Sequence, residues 1–208
     1  DQDVTPAAKP SAQGHPLIDT DVSTAGERVF AKWFSHHDSI LHDHVFNGVR
    51  VLPAAAIIEM AREAVARTGA RPRQITNFLM GYPIVGTEQG INTRLVLKPA
   101  GEHIDFTLTS RDQQSGQPFI HCQGTIETGE QADSGDMGVL DLDAIRARLP
   151  HRADLEHNYD AVVPHAVEFG PTLRTVREFS YGEHEALAKI AVGEESRAEN
   201  LLLHPLII

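Results

Sequence analysis

Apolar positions along the chain change their spacing twice, and each change marks a different kind of element. Arg28–Phe34 reads as a strand. Beyond Pro53, the residues Ile57, Ile58, Ala61, Ala64 and Val65 recur three and four positions apart, which is the repeat of a helix with one apolar face. Glu59, Arg62, Glu63 and Arg67 are expected on the other face. Proline suits the first helical turn, where its missing N–H has no intrahelical partner, and Gly69 suits the stop.

After Gly69 the period falls to two. Ile75–Met80 reads as a strand. Ile91, Thr93, Leu95 and Leu97 alternate with polar neighbours, as do Ile104, Phe106 and Leu108, and Phe119–Thr128 adds another strand. Strands gathered behind one helix, rather than alternating with helices, indicate an α+β fold with an antiparallel sheet. A sheet wrapped around a single apolar helix fits this order. Residues 128–138, rich in glycine, acids and small polar residues, have the composition of a linker. Leu140–Leu149 and Asp154–Ala166 then read as helices, Arg174–Phe179 and Glu185–Val192 as strands, and Leu201–Ile208 as an apolar run that breaks off. The expected division is a linker over 1–14, a first unit over 15–130, a linker over 131–139, and an incomplete second unit over 140–208.

Composition narrows the function classes. A chain of 208 residues, 41% hydrophobic and 23% charged, suits one globular domain or two small ones. No apolar run approaches the roughly 18 residues of a membrane span, and the polar N-terminus does not resemble a secretion signal. A net charge of −11 with scattered basic residues argues against nucleic acid as the partner. Cys122 is the only cysteine, so no internal disulfide forms and a reducing cytoplasm is expected. Alternating with Ile120 and Ile126, it reads as a small buried hydrophobe on a strand.

The candidate chemistry lies in Leu41–Pro53, where His44 precedes an apolar segment and a proline-led helix begins nine residues later. A helix N-terminus offers unpaired N–H groups and partial positive charge, which can hold an acyl carbonyl and stabilise enolate-like charge. A neutral imidazole beside it can take the α-proton. Spacing alone is equally compatible with a histidine satisfied in the core at a strand end. His36, His37, His42 and His44 invite a metal reading, with His42 and His44 on one side of a strand. No distant Cys or His pair completes a ligand set, and no metal is expected.

The stretch His44-x3-Gly48-x4-Pro53, followed by the alanine-rich helix with Glu-Met-Ala-Arg-Glu-Ala, resembles the active-site motif of polyketide synthase dehydratase domains. Further resemblances follow in that family's order: His15-Pro-Leu, Phe119-Ile-His-Cys-Gln-Gly-Thr, Phe169-Gly-Pro-Thr-Leu and Leu203-His-Pro-Leu-Ile-Ile. The resemblance implies a double hot-dog fold, each half an antiparallel sheet around a long helix, with the second half incomplete here. It also implies dehydration of a 3-hydroxyacyl thioester carried on the phosphopantetheine arm of an acyl carrier protein, with no other cofactor. Neighbouring synthase domains and a second copy of the domain are the implied partners.

By the same resemblance His44 is the base. Gly48 and Pro53 shape the turn into the helix, Ala54 presents its N–H to the thioester carbonyl, and Phe169, Gly170, Pro171, His204 and Pro205 line the substrate site. Phe169 stands where the family usually has Tyr, Leu173 where Phe is common, and Ala54 where Gly is frequent. The family's acid, an Asp five residues after the second histidine, would fall at the position following Ile208. Among carboxylates within the chain, Asp43 adjoins His44, but neighbouring strand residues point to opposite faces. Asp38 and Glu168 are better placed in sequence, though nothing specifically favours either as a substitute acid. A dehydratase-like isomerase or pyran-forming cyclase, and a non-catalytic docking domain, are the alternatives.

Overall fold

The computed structural model describes residues 14–111, 116–130, 138–163, 165–193 and 201–207. Its elements run β1 (Thr20–Asp21), β2 (Arg28–Phe34), α1 (Ser39–His42), β3 (His44–Phe46), β4 (Val49–Arg50), α2 (Ala54–Arg67), β5 (Pro72–Met80), β6 (Ile91–Ala100), β7 (His103–Arg111), β8 (Pro118–Thr128), α3 (Leu142–Arg148), β9 (His151–Arg152), β10 (Val167–Phe169), β11 (Val176–Tyr181) and β12 (Ala186–Ile190). Residues 1–13 and 131–137, most of the two expected linkers, lie outside the described residues.

The predicted helix is α2. Pro53 is its N-cap, in extended backbone, and Thr68 closes it with its N–H on the carbonyls of Ala66 and Val65. Ala55, Ala56, Ile57, Met60, Ala61, Ala64 and Val65 are buried, so four alanines and two β-branched residues form most of the stripe. Small side chains there let the sheet close tightly over the helix. One expectation fails: Glu59, placed on the polar face from its charge, is fully buried. Arg62 and two backbone N–H groups of residues 202–203 donate to its carboxylate, which offsets the cost of burying it.

Around α2 wraps a six-stranded antiparallel sheet in the order β1-β2-β6-β7-β8-β5. Alternation sends Thr93, Leu95 and Leu97 of β6, and Ile104, Phe106, Leu108 and Ser110 of β7, inward to the helix. Phe30, Phe34, Met60, Phe106 and Leu108 are among the largest side chains at the centre of this core. On β8, Cys122 is buried as expected, and burial pushes its thiol up to about 12, which leaves it unreactive. His121 beside it is also buried. Its Nδ1–H donates to the Tyr82 carbonyl at 2.9 Å, so Nε2 accepts from the Ser110 hydroxyl at 2.8 Å.

Two three-stranded sheets complete the structure, β10-β3-β4 and β12-β11-β9. The expected strands over 174–192 form as β11 and β12, paired in antiparallel register. The expected helix Asp154–Ala166 does not form. Asp154 closes a single turn, with its carbonyl accepting from Asn158 N–H at 2.9 Å and its carboxylate from His157 N–H at 3.2 Å. A 3-10 turn at Tyr159–Val162 follows, and the chain is in β10 by Val167. Pro164 cannot donate to a helix and disfavours helical backbone at Val163, which is extended. Among the described residues no helix is long and apolar enough to cross a membrane.

Two expectations on stability follow. Met60→Ala opens a void at the helix–sheet contact and is expected to cost about 2–5 kcal/mol in urea unfolding. Burial lowers the pKa values of His15 and His121, so both are neutral in the fold and bind protons more readily once unfolded. Stability is therefore expected to decline as pH falls below the unfolded histidine value of about 6.5. Urea midpoints at pH 7.5 and 5.5 check this, and His121→Gln should narrow the difference between them.

Candidate active site

The site begins at a two-residue hairpin. β3 and β4 pair through Val45–Arg50 and Phe46–Val49, leaving Asn47 and Gly48 as the turn. Both have positive φ, 49° and 76°. An Asn-Gly turn of this hand matches the twist of the flanking strands, and glycine takes the second position without a Cβ penalty. The hairpin returns the chain so that Val51 lies beside His44, with Val51 N–H donating to the His44 carbonyl at 3.0 Å.

That return fixes the imidazole. His44 Nδ1 lies 3.0 Å from the Val51 carbonyl oxygen. A carbonyl only accepts, so Nδ1 carries a proton, and in the neutral ring Nε2 is the nitrogen that keeps its lone pair. Two residues on from Val51, Pro53 caps α2, and exposed Ala54 opens its first turn, where N–H groups have no intrahelical acceptor. A lone-pair nitrogen and a helix N-terminus thus lie at opposite ends of one short, internally bonded segment.

β10 runs antiparallel to β3, with Phe169 opposite His44. Their ring centroids are 5.9 Å apart and the planes are tilted by 32°. Asp43 locks this pairing. Its carbonyl accepts from Gly170 N–H at 2.7 Å, and its Oδ2 accepts from both Thr172 N–H (2.9 Å) and Thr172 Oγ1–H (2.7 Å). Its other oxygen accepts from His42 Nδ1–H at 2.8 Å. Burial of Asp43 opposes the charged form, but the bonds from His42 and Thr172 outweigh it and hold the carboxyl below its ordinary pKa. Gly170 is required here, because an added methyl would overlap the Asp43 carboxyl group.

Asp43 was named from sequence only as a stand-in acid, and its role as a tie between the two halves was missed. The one signal available was its position next to His44. With both oxygens accepting hydrogen bonds and its proton affinity reduced, it is held as a carboxylate and has no proton to give. Asp38 accepts from Ser35 N–H at 2.9 Å at the start of α1, and Glu168 is exposed on β10. The paired-strand geometry expected of His42 and His44 is also absent. His42 ends α1 and His44 begins β3, so the two do not share a strand face.

Pro171 begins a 3-10 turn through Leu173, and Thr175 follows in the same segment. Thr175 Oγ1–H donates to the Leu206 carbonyl at 2.9 Å, which ties the His204–Pro205 turn to the strip that carries Phe169 and Gly170. Pro205 is buried and His204 half-buried. A cavity of about 540 Å³ lies elsewhere, between α2 and β5, lined by Ile58, Arg62, Ile75 and Leu202–Leu203. His44 does not border it, so the site is defined by its converging groups rather than by this hollow.

Comparison with known proteins agrees on both parts of the chain. The family profile described as polyketide synthase dehydratase domain matches residues 15–111, and the one described as polyketide synthase dehydratase N-terminal domain matches 138–208. The chain belongs to the polyketide synthase dehydratase domains. This dehydratase-family domain is 28% identical over 206 residues to polyketide synthase PksL of Bacillus subtilis, and 28% over 193 residues to ThaG of Burkholderia thailandensis. It covers 4% and 3% of those proteins, and 93% and 88% of its own chain takes part. It therefore corresponds to one small part of large modular synthases.

A solved trans-AT polyketide synthase dehydratase domain from Brevibacillus brevis superposes with a TM-score of 0.79 at 27% identity, covering 92% of this chain and 70% of that one. The dehydratase domain of the curacin CurF module gives 0.79 at 20% identity over 93% and 73%, a likeness of fold. The architecture is accordingly a partial double hot dog, as the strand order and the sheet around α2 indicate.

The Asp43 tie generates a direct expectation. Asp43→Ala leaves the Thr172 N–H and hydroxyl without their acceptor, and is expected to cost about 1–3 kcal/mol. Its measurable signature is faster amide exchange at Thr172 and Gly170 than in the strands β6–β8.

Proposed function

We propose that this domain removes water from a 3-hydroxyacyl thioester to give the α,β-unsaturated thioester. The observation that carries the reading is the His44 Nδ1 to Val51 carbonyl bond, which leaves Nε2 as a lone-pair base beside the start of α2. Membership of the dehydratase family and the match to the Brevibacillus brevis domain support it.

In this reaction Nε2 of His44 takes the α-proton, and the electron pair of that C–H bond forms the Cα–Cβ double bond. The C–O bond at Cβ breaks, and the hydroxyl leaves as water after receiving a proton. Charge that builds on the thioester oxygen is met by the N–H groups of the first turn of α2, with Ala54 foremost. Gly48 and Pro53 set the turn that brings base and helix start together. Phe169 faces the imidazole across the β3–β10 pair, and the Gly170 N–H on the Asp43 carbonyl fixes the backbone that carries it into the Pro171 turn. In the family pattern the proton for the leaving hydroxyl comes from an Asp five residues after the histidine matched by His204. The atoms balance without a metal or redox partner.

The substrate arrives on the phosphopantetheine arm of an acyl carrier protein, in this reading, within a cytoplasmic homodimeric synthase. A second reading keeps His44 as the base and makes the product a shifted double bond or a pyran ring. It is favoured by Phe169, which offers no hydroxyl opposite the base.

The test presents a panel of 3-hydroxyacyl carrier proteins of several chain lengths to the domain in its synthase and follows mass. Loss of water is expected, with the rate in His44→Ala reduced by about 10²–10⁴. Absence of water loss across the panel, or an unimpaired His44→Ala variant, contradicts the proposal. Isomerised or cyclised product without net dehydration moves the assignment to the second reading.

A further inference from the structure

The tetrapeptide His-Pro-Leu-Ile occurs twice, at residues 15–18 and 204–207. Both copies fold into the same turn. In the first, Leu17 N–H donates to His15 Nδ1 at 3.2 Å and Ile18 N–H to the His15 carbonyl at 3.0 Å. In the second, Leu206 N–H donates to His204 Nδ1 at 3.2 Å and Ile207 N–H to the His204 carbonyl at 2.9 Å. These turns are 189 residues apart in sequence (204 minus 15), yet both are fastened to one side chain.

That side chain is Glu59, fully buried on α2. The bond to Leu17 N–H makes His15 Nδ1 an acceptor, so its Nε2 carries the proton and donates to Glu59 Oε1 at 3.3 Å. From the other end of the chain, Leu202 N–H donates to Oε1 at 3.0 Å and Leu203 N–H to Oε2 at 3.1 Å. Arg62 completes the set, with Nε on Oε2 at 2.7 Å and Nη2 on Oε1 at 2.9 Å. Burial alone would raise the carboxyl's pKa, but the bonds from Arg62, Leu202 and Leu203 more than reverse that, so it is held charged. Five donors on two oxygens fix the carboxylate, and through it the two N–H groups immediately before His204.

A buried charge solely for stability is a poor choice, since an apolar side chain of similar volume often serves as well. Glu59 differs from such a filler in what it holds. Its own helix begins at Ala54, the proposed carbonyl site, and its partners lead into the segment proposed to bring in the acid. We infer that Glu59 is a positioning residue, setting the His204–Pro205 turn in register with the N-terminus of α2. The part of this inference that concerns catalysis rests on the dehydratase reading above; the registration itself does not.

The test uses Glu59→Gln in the intact synthase. Glutamine keeps the shape but turns an NH2 group toward donors. Hydrogen exchange and kinetics are read together. At Leu202 and Leu203, exchange is expected to quicken by about tenfold or more while β6–β8 amides remain protected. Turnover should fall about tenfold or more, with KM within about threefold, the pattern of a displaced group rather than a lost binding contact. Unchanged exchange at Leu202–Leu203 overturns the inference, as does unchanged turnover when exchange has quickened.

Should Glu59→Gln not fold, Leu203→Pro removes one of the two donated N–H groups and leaves the carboxylate to Arg62, His15 and the Leu202 N–H. Faster exchange at Leu202 and the same kinetic split are then expected, and their absence overturns the inference. Failure of the wild-type domain to release water defeats the dehydratase reading but leaves the exchange result to decide the registration.

Discussion

The hydrogen bond from His44 Nδ1 to the Val51 carbonyl is the interaction on which the rest depends. It gives a histidine at a strand end a defined tautomer in the neutral ring, with Nε2 as the nitrogen the proposed base needs. The bond exists because the Asn47–Gly48 turn returns the chain within two residues, and because Val51 is bonded back to the His44 carbonyl. Two residues beyond Val51 the same path reaches Pro53, so the geometry of the His44 ring and the start of α2 are set by one local structure. Neither needs the other half of the chain to be placed.

Among the described residues, the second half is attached by the pairing of β10 with β3 and by a few polar ties. Asp43 holds Gly170 and Thr172 next to His44, Thr175 holds Leu206, and Glu59 holds Leu202 and Leu203. Each is a buried or half-buried group whose bonds are specific in direction, so each sets register as well as proximity. The apolar core of α2 and its six-stranded sheet supplies the rigid body to which these ties are made.

Much of the fold was legible because periodicity reports burial. The stripe from Ile57 to Val65 and the alternations in β6 and β7 correspond to side chains that are in fact inward. His44, Gly48 and Pro53 were named for a different reason: the spacing between them matches the family's motif, whereas spacing alone left His44 equally compatible with a core histidine. What periodicity could not show is a polar residue turned inward. Glu59 looked like surface, and the tie that Asp43 makes to Thr172 had no sign in its own segment, because the backbone partners of both carboxylates lie more than a hundred residues away. The helix expected over Asp154–Ala166 erred the other way. Its composition permitted a helix, but Asp154 offered a competing local turn and Pro164 ended the run.

The central claim is that His44 presents an unprotonated Nε2 because Nδ1 is committed to Val51. Nitrogen-15 NMR of the imidazole in the selectively labelled domain reads this directly, since the protonated and lone-pair nitrogens of a neutral ring have well-separated shifts. In the neutral ring, the structure predicts a protonated Nδ1 and a bare Nε2. A His44 ring with its proton on Nε2, or one averaging freely between the two forms, would contradict the account.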